Sequence, residues 1–262
     1  MDKKETKKNS NRLYTLDLIR SLAVLGMILI HLNFDFLMIL SYVPEYTRTT
    51  GYEVFCQLVR ITFIFLSGYC SLLGKKTLKR GLIVSGAGLA ITLGTVLFKV
   101  EPPIVFGVLT LIGACMLISI LFKKIITEKN AFVFFPLFLV LFLFFLHIHD
   151  GYCGFVWHRF FLYPRELYSV TNPVLTYILA FLGLPGRYFA SSDYFPLVPW
   201  FFLFMSGFSF YRLFGEKLKD KKFMKINIVP LTFIGRYSLI IYLAHQPLLL
   251  GAVYLAYLIM NR

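Results

Sequence analysis

The stretch RLYTLDLIRSLAVLGMILIHLNFDF, Arg12 to Phe36, decides the fold. From Leu16 the apolar character persists to Leu40, long enough to cross the roughly 30 Å of hydrocarbon in a bilayer. A secretory leader also starts with cations before an apolar run. Its h-region, however, is only about 7–15 residues long and ends at a small-residue cleavage site, and none follows here. The segment is therefore read as a retained first span. It nevertheless carries Asp17, Arg20, His31 and Asp35, each costing roughly 2.5–3.5 kcal/mol at the centre of a membrane helix on insertion scales. Charges kept at that cost point to function as well as to fold.

Working outward, six more apolar runs follow, which gives seven expected spans: about 16–40, 53–74, 81–99, 104–122, 131–148, 195–214 and 229–259. The 262 residues are 58% hydrophobic and only 15% charged, against roughly 45–50% and about 25% in soluble domains. Mean hydropathy is +0.73. The net charge of +14 sits in short blocks between the runs, so it does not make a nucleic-acid-binding face. The blocks are Lys3, Lys4, Lys7, Lys8 and Arg12; Lys75, Lys76, Lys79 and Arg80; Lys123, Lys124 and Lys129; and Arg212, Lys217, Lys219, Lys221, Lys222 and Lys225. One block precedes the first span and the others follow every even-numbered span. By the positive-inside rule this puts the N-terminus, with its basic tail 1–13, in the cytoplasm and the C-terminus outside.

The expected fold is all-α, a polytopic transmembrane helix bundle forming a single domain over 1–262 in the plasma membrane. Residues 147–194 form an extracytoplasmic loop. Its apolar part, NPVLTYILAFLGLP, is broken by Pro173 and Pro185 and too short to span, which predicts a re-entrant or interfacial segment. Cys56, Cys70, Cys115 and Cys153 show no CxxC pair and no metal-ligand spacing, so neither a disulfide framework nor a metal site is expected.

The intramembrane polar residues sort into two layers. At 1.5 Å per residue, His31 lies roughly 20 Å from the inner start of span one, and His245 is at a similar depth in span seven. Arg60, about 13 Å below the outer end of span two by the same count, joins them, as do Asp35 and Asp193. Asp17, Arg20 and Arg236 lie within about two turns of the inner face. His31 and Asp35 at i,i+4 share one helix face, so the carboxylate could orient an imidazole acting as a general base. A buried polar pair that holds helices together is the structural alternative. Asp17 and Arg20 at i,i+3 could equally be an ion pair and nothing more. His245, next to Pro247, is either a second catalytic candidate or the partner of a freed carbonyl. His147, His149 and His158 fall at or beyond an outer interface, where a solvated or lipid-facing role fits better than catalysis.

These residues carry a family likeness. The first span, with FIFLSG, VFGVLTLIGACML, SSDYFPLVPWFFLFMSG and GRYSLIIYLAHQPLL in that order, resembles the heparan-α-glucosaminide N-acetyltransferase catalytic-domain family, specifically its small bacterial members. Arg20 and His31, with ten residues between them, also match the Arg-x10-His motif of the broader transmembrane acyltransferase superfamily. The resemblance implies an acyl-CoA-dependent membrane acetyltransferase that takes acetyl from cytosolic acetyl-CoA, with no metal, and passes it to an extracytoplasmic sugar or glycan. On that reading Asp17, Arg20 and Arg236 belong to the CoA side. His31, Asp35 and His245 are catalytic, and Arg60 and Asp193 hold the acceptor. In the lysosomal enzyme's pattern a catalytic histidine lies in the first extracytoplasmic loop, but SYVPEYTRTTGYE, residues 41–53, contains none. An acetyl-histidine there is not expected, nor is heparan itself as the acceptor. The expected partners are the bilayer, acetyl-CoA and the glycan; a homodimer is left open.

A reading of another class makes the chain a small transporter or flippase whose His, Asp and Arg relay protons or line a path. No inverted repeat is visible to support it. A third makes it an inactive scaffold that keeps the fold.

Overall fold

The computed structural model describes residues 12–155, 158–162 and 164–260; Lys3, Lys4, Lys7 and Lys8 of the basic tail lie outside them. The chain is built of helices: α1 Tyr14–Leu40, α2 Thr50–Ser71, α3 Thr77–Leu97, α4 Val108–Phe122 and α5 Ala131–Phe145, then α6 Arg165–Tyr168, α7 Pro173–Leu182, α8 Leu197–Lys219, α9 Val229–Arg236 and α10 Ser238–Met260. Among the described residues six segments are long and apolar enough to cross a membrane: α1, α2, α3, α5 continued through turns to Asp150, α8 and α10. Their outward side chains, such as Leu22, Leu82, Phe132 and Ile240, are large, apolar and exposed. Water would oppose that surface and lipid accepts it. The chain is thus a multi-pass membrane protein.

The fourth expected span, 104–122, forms a helix of only 15 residues, α4, or about 22 Å at 1.5 Å per residue. It falls short of the hydrocarbon thickness because Pro102, Pro103 and the turn at Phe106 consume the start of the apolar run. The segment read as re-entrant or interfacial is the 10-residue α7, too short to span. Its ends follow local chemistry. The Asn172 side chain accepts from Leu175 N at 3.1 Å, Pro173 occupies the first turn, and Gly183 closes the helix at φ +114, a conformation open to glycine. Before it, the sequence reading anticipated no strands, yet β1 Tyr152–Phe155 and β2 His158–Leu162 form an antiparallel hairpin, with Tyr152 opposite Leu162 and a bulge at Cys153/Gly154.

Two compact units divide the chain. The first runs up to Phe63 and resumes at Glu216. Within it α1 packs along α9 and α10 in the same direction, since Asp17 meets Gly235 and Asp35 meets Gln246. Gly235 permits the approach, because a Cβ there would run into the Asp17 carbonyl.

The second unit, Ile64–Gly215, has its core around Phe204, Phe208, Leu203 and Ile64, all fully or nearly fully buried. Here α2 and α8 touch backbone to backbone: a Cβ on Gly68 would strike the Phe204 carbonyl, and one on Gly207 the Phe65 carbonyl. Close contact through small residues is how membrane helices gain packing where lipid supplies no hydrophobic drive. Two of its buried serines spend their hydroxyls on their own helices: Ser71 donates to Gly68 O and Ser206 to Leu203 O, each at 2.7 Å, so neither of these donors is stranded in an apolar setting.

Candidate active site

Two polar layers lie in the first unit, both on α1 and its neighbours α9–α10. The first is built on Asp17, whose buried carboxylate accepts from Arg12 Nε at 2.7 Å and from Arg20 Nη1 at 3.0 Å. Arg20 Nη1 also lies 3.3 Å from Gly235 O, so this guanidinium ties α1 to α9. The i,i+3 ion pair that the spacing allowed is formed. Arg236, by contrast, is exposed and rests its guanidinium 5.9 Å from the centre of the Tyr237 ring. Of the residues expected on the CoA side, it is the cation turned to solvent.

Eleven residues on from Arg20, or about 16 Å along the helix, comes the second layer. The His31 and His245 rings face each other at 5.0 Å between centroids, tilted by 55°. His245 is 6% exposed, and its Nδ1 lies 2.5 Å from the Tyr242 carbonyl. A carbonyl only accepts, so Nδ1 carries the proton and Nε2 keeps the lone pair of a base. The Tyr242 ring flanks it edge-on at 5.2 Å and stacks on Phe63 at 6.2 Å. His245 thus has both its tautomer and its ring plane set.

Asp35 is 1% exposed, and its Oδ1 accepts from Gln246 Nε2 at 2.9 Å. The expected bond from Asp35 to His31 is not made among the described residues, although the two sit at i,i+4. The carboxylate instead takes its donor from Gln246 on α10. The ring contact of His31 is with His245. Asp35 Oδ2 and Gln246 Oε1 are buried and take no hydrogen bond. Two acceptor atoms therefore sit beside a histidine pair and lack donors, so the layer is complementary to a group rich in N–H or O–H.

The remaining expected site residues lie apart from this cluster. Arg60 is exposed on α2 and donates to Gln57 Oε1 at 3.5 Å; among the described residues no hydrogen bond joins it to His31, Asp35 or His245. Asp193 belongs to the second unit. Its Oδ2 would lie 3.0 Å from a Cβ at Gly107, at the N-terminus of α4, where a carboxylate is stabilised by the helix dipole. The loop is stitched there by Ser191 Oγ, which accepts from Val105 N and donates to Val105 O, both at 2.9 Å. His147 and His149 lie beside Asp150 at 3.0 and 3.4 Å.

Three residues of the layer escaped the sequence reading. Gln246 and Tyr242 carry no charge and sit in an apolar run, although the polar pair His245-Gln246 was a signal. Asn33, buried among the same residues of α1, accepts from Tyr46 Oη at 2.6 Å and donates to Tyr52 Oη at 3.1 Å, pinning the loop after α1 to α2.

No curated protein and no solved structure matches the chain. A family model, heparan-alpha-glucosaminide N-acetyltransferase, catalytic, matches residues 12–247. That interval runs from Arg12, on the Asp17 carboxylate, to the residue after Gln246, and so takes in both polar layers. The chain belongs to this family of transmembrane acetyltransferases.

Proposed function

We propose that the chain moves an acetyl group from cytosolic acetyl-CoA to a hydroxyl or amine of an extracytoplasmic sugar or glycan, at the His31–His245 layer. The observation that carries this reading is the oriented His245, with Nδ1–H bound to Tyr242 O at 2.5 Å and Nε2 left basic, beside two buried acceptors without donors, Asp35 Oδ2 and Gln246 Oε1. An acceptor hydroxyl or ammonium donates to those oxygens and is held there. A histidine removes its proton as the lone pair attacks the thioester carbonyl. The C–S bond then breaks, and the CoA thiolate takes up a proton. The Asp17 layer lies about 16 Å back along α1 and is the natural place for the donor. Arg236, exposed and without an ion pair among the described residues, binds phosphate oxygens, while Asp17 and Arg20 hold the helix ends that present it.

Acetyl-CoA binding and hydrolysis by the purified protein test this. The enzyme binds acetyl-CoA and slowly hydrolyses it, a scaffold binds without hydrolysis, and a transporter of the competing class does neither. Arg236→Ala weakens acetyl-CoA binding by about 1.5–3 kcal/mol if it makes one charge-assisted phosphate bond. Unchanged affinity returns Arg236 to a surface role.

A further inference from the structure

Away from the histidine layer, the second unit links three cations from three different helices. Lys123, capping α4, donates from Nζ to Thr77 Oγ1 at 2.7 Å, and Thr77 Oγ1 in turn donates to Ser71 O at 3.2 Å. Arg212 of α8 donates from Nη2 to the Lys123 carbonyl at 2.9 Å. Arg80, in the first turn of α3, reaches towards Cys70 O at 3.4 Å. Burial, then the Arg212 charge, then that of Arg80 hold the Lys123 ammonium below its ordinary pKa, so both guanidiniums act on it. None of the five ion pairs among the described residues includes any of the three. Arg212 Nε is buried with no hydrogen-bond partner, while Arg80 is exposed and Lys123 and Arg212 are half-buried, so the cluster is open to water on one side.

A cation at the C-terminal end of a helix is favourable by itself, and the carbonyls of Cys70 and Lys123 supply that role for α2 and α4. One charge per helix end satisfies it. Three converging charges with no carboxylate, and a guanidinium N–H left without an acceptor, exceed it. The missing partner is an anion with several acceptor oxygens, which is the chemistry of a phosphate group.

We propose that Arg80, Lys123 and Arg212 form a phosphate-binding site at the lysine-rich end of the second unit. The site is distinct from Arg236 and requires no acyl transfer. Two sources carry the same chemistry: a soluble phosphorylated ligand such as CoA, or the headgroup of an anionic phospholipid. The test uses the full-length protein in neutral detergent, with Arg80→Gln, Lys123→Gln and Arg236→Gln. One arm measures CoA affinity by calorimetry, and the other measures retention of added phosphatidylglycerol by native mass spectrometry. Arg80→Gln and Lys123→Gln are expected to weaken binding at least tenfold in one arm, and that arm names the source; a loss in both shows that the site takes the phosphate from either. Arg80→Gln removes an exposed side chain whose hydrogen bond to Cys70 O is long, so it stays folded if Lys123→Gln does not. Affinities within twofold of wild type in both arms for folded Arg80→Gln overturn the proposal, as does a wild type that binds neither probe. A CoA loss confined to Arg236→Gln, with phosphatidylglycerol unaffected by every variant, also overturns it while leaving the acyl-transfer reading intact.

Discussion

Replacing Gln246 by leucine removes the single hydrogen bond that Asp35 makes among the described residues, Gln246 Nε2 to Oδ1 at 2.9 Å. Asp35 is 1% exposed, so water cannot replace the donor, and Oδ2 already has no partner. A hydrogen bond to a charged group contributes about 1.5–3 kcal/mol, and that loss is the expected cost of Gln246→Leu, since leucine leaves little cavity. For a chain of this size the cost corresponds to a fall of about 3–12 °C in Tm, at roughly 2–4 °C per kcal/mol. Asp35→Leu strands the Gln246 amide and costs about 1–3 kcal/mol. The double variant faces one apolar side chain with another and sheds both penalties, so the two changes are not additive. The coupling energy is then about 2.5–6 kcal/mol in the direction of rescue, the sum of the two single penalties. Thermal unfolding of the purified protein in one detergent, over the full cycle of four proteins, measures it. A double variant as unstable as the sum of the singles refutes the reasoning, as do single variants that match wild type.

At the helix crossings, Gly68→Val and Gly235→Val each drive a side chain into a backbone carbonyl, of Phe204 and Asp17 respectively. Each should lose about 1–3 kcal/mol or more of stability, read as a lower Tm and yield, whereas Gly94→Ala, with nothing within 4 Å of its Cβ, should not. For topology, in a background without native cysteines, Lys221→Cys should react with an impermeant maleimide only from the cytoplasmic side and Glu166→Cys only from outside. Labelling of both from one side contradicts the orientation read from the lysine blocks.

Much of the fold was legible because spans announce themselves through length. The apolar runs at 16–40, 53–74 and 195–214 appear as α1, α2 and α8 with their boundaries shifted by a few residues. The 104–122 run misled on length, because hydropathy does not register how Pro102, Pro103 and the Phe106 turn delay the helix until Val108. The β1–β2 hairpin had no alternating pattern to reveal it. The same limit governs the site. His31, Asp35 and His245 stood out as ionisable residues in apolar runs. The i,i+4 rule sees only one helix, however, and the true partner of Asp35 lies 211 residues away on another. Likewise the lysine and arginine blocks were visible as charges flanking the spans, while the meeting of Arg80, Lys123 and Arg212 joins α3, the end of α4 and α8, far apart in sequence.

Acetyl is proposed to pass from CoA to an acceptor at the histidine layer. Membrane vesicles carrying the protein, supplied with radiolabelled acetyl-CoA on the cytoplasmic face and envelope glycan on the other, test it most directly through label recovered in the glycan fraction. Wild type should transfer label above vesicles that lack the protein. His245→Ala should reduce transfer by about 10²–10⁴-fold, the contribution expected of a general base, and His31→Ala should also reduce it, both with acetyl-CoA binding preserved. Transfer at the wild-type rate in both histidine variants would contradict the account, as would a wild type that labels no more glycan than empty vesicles.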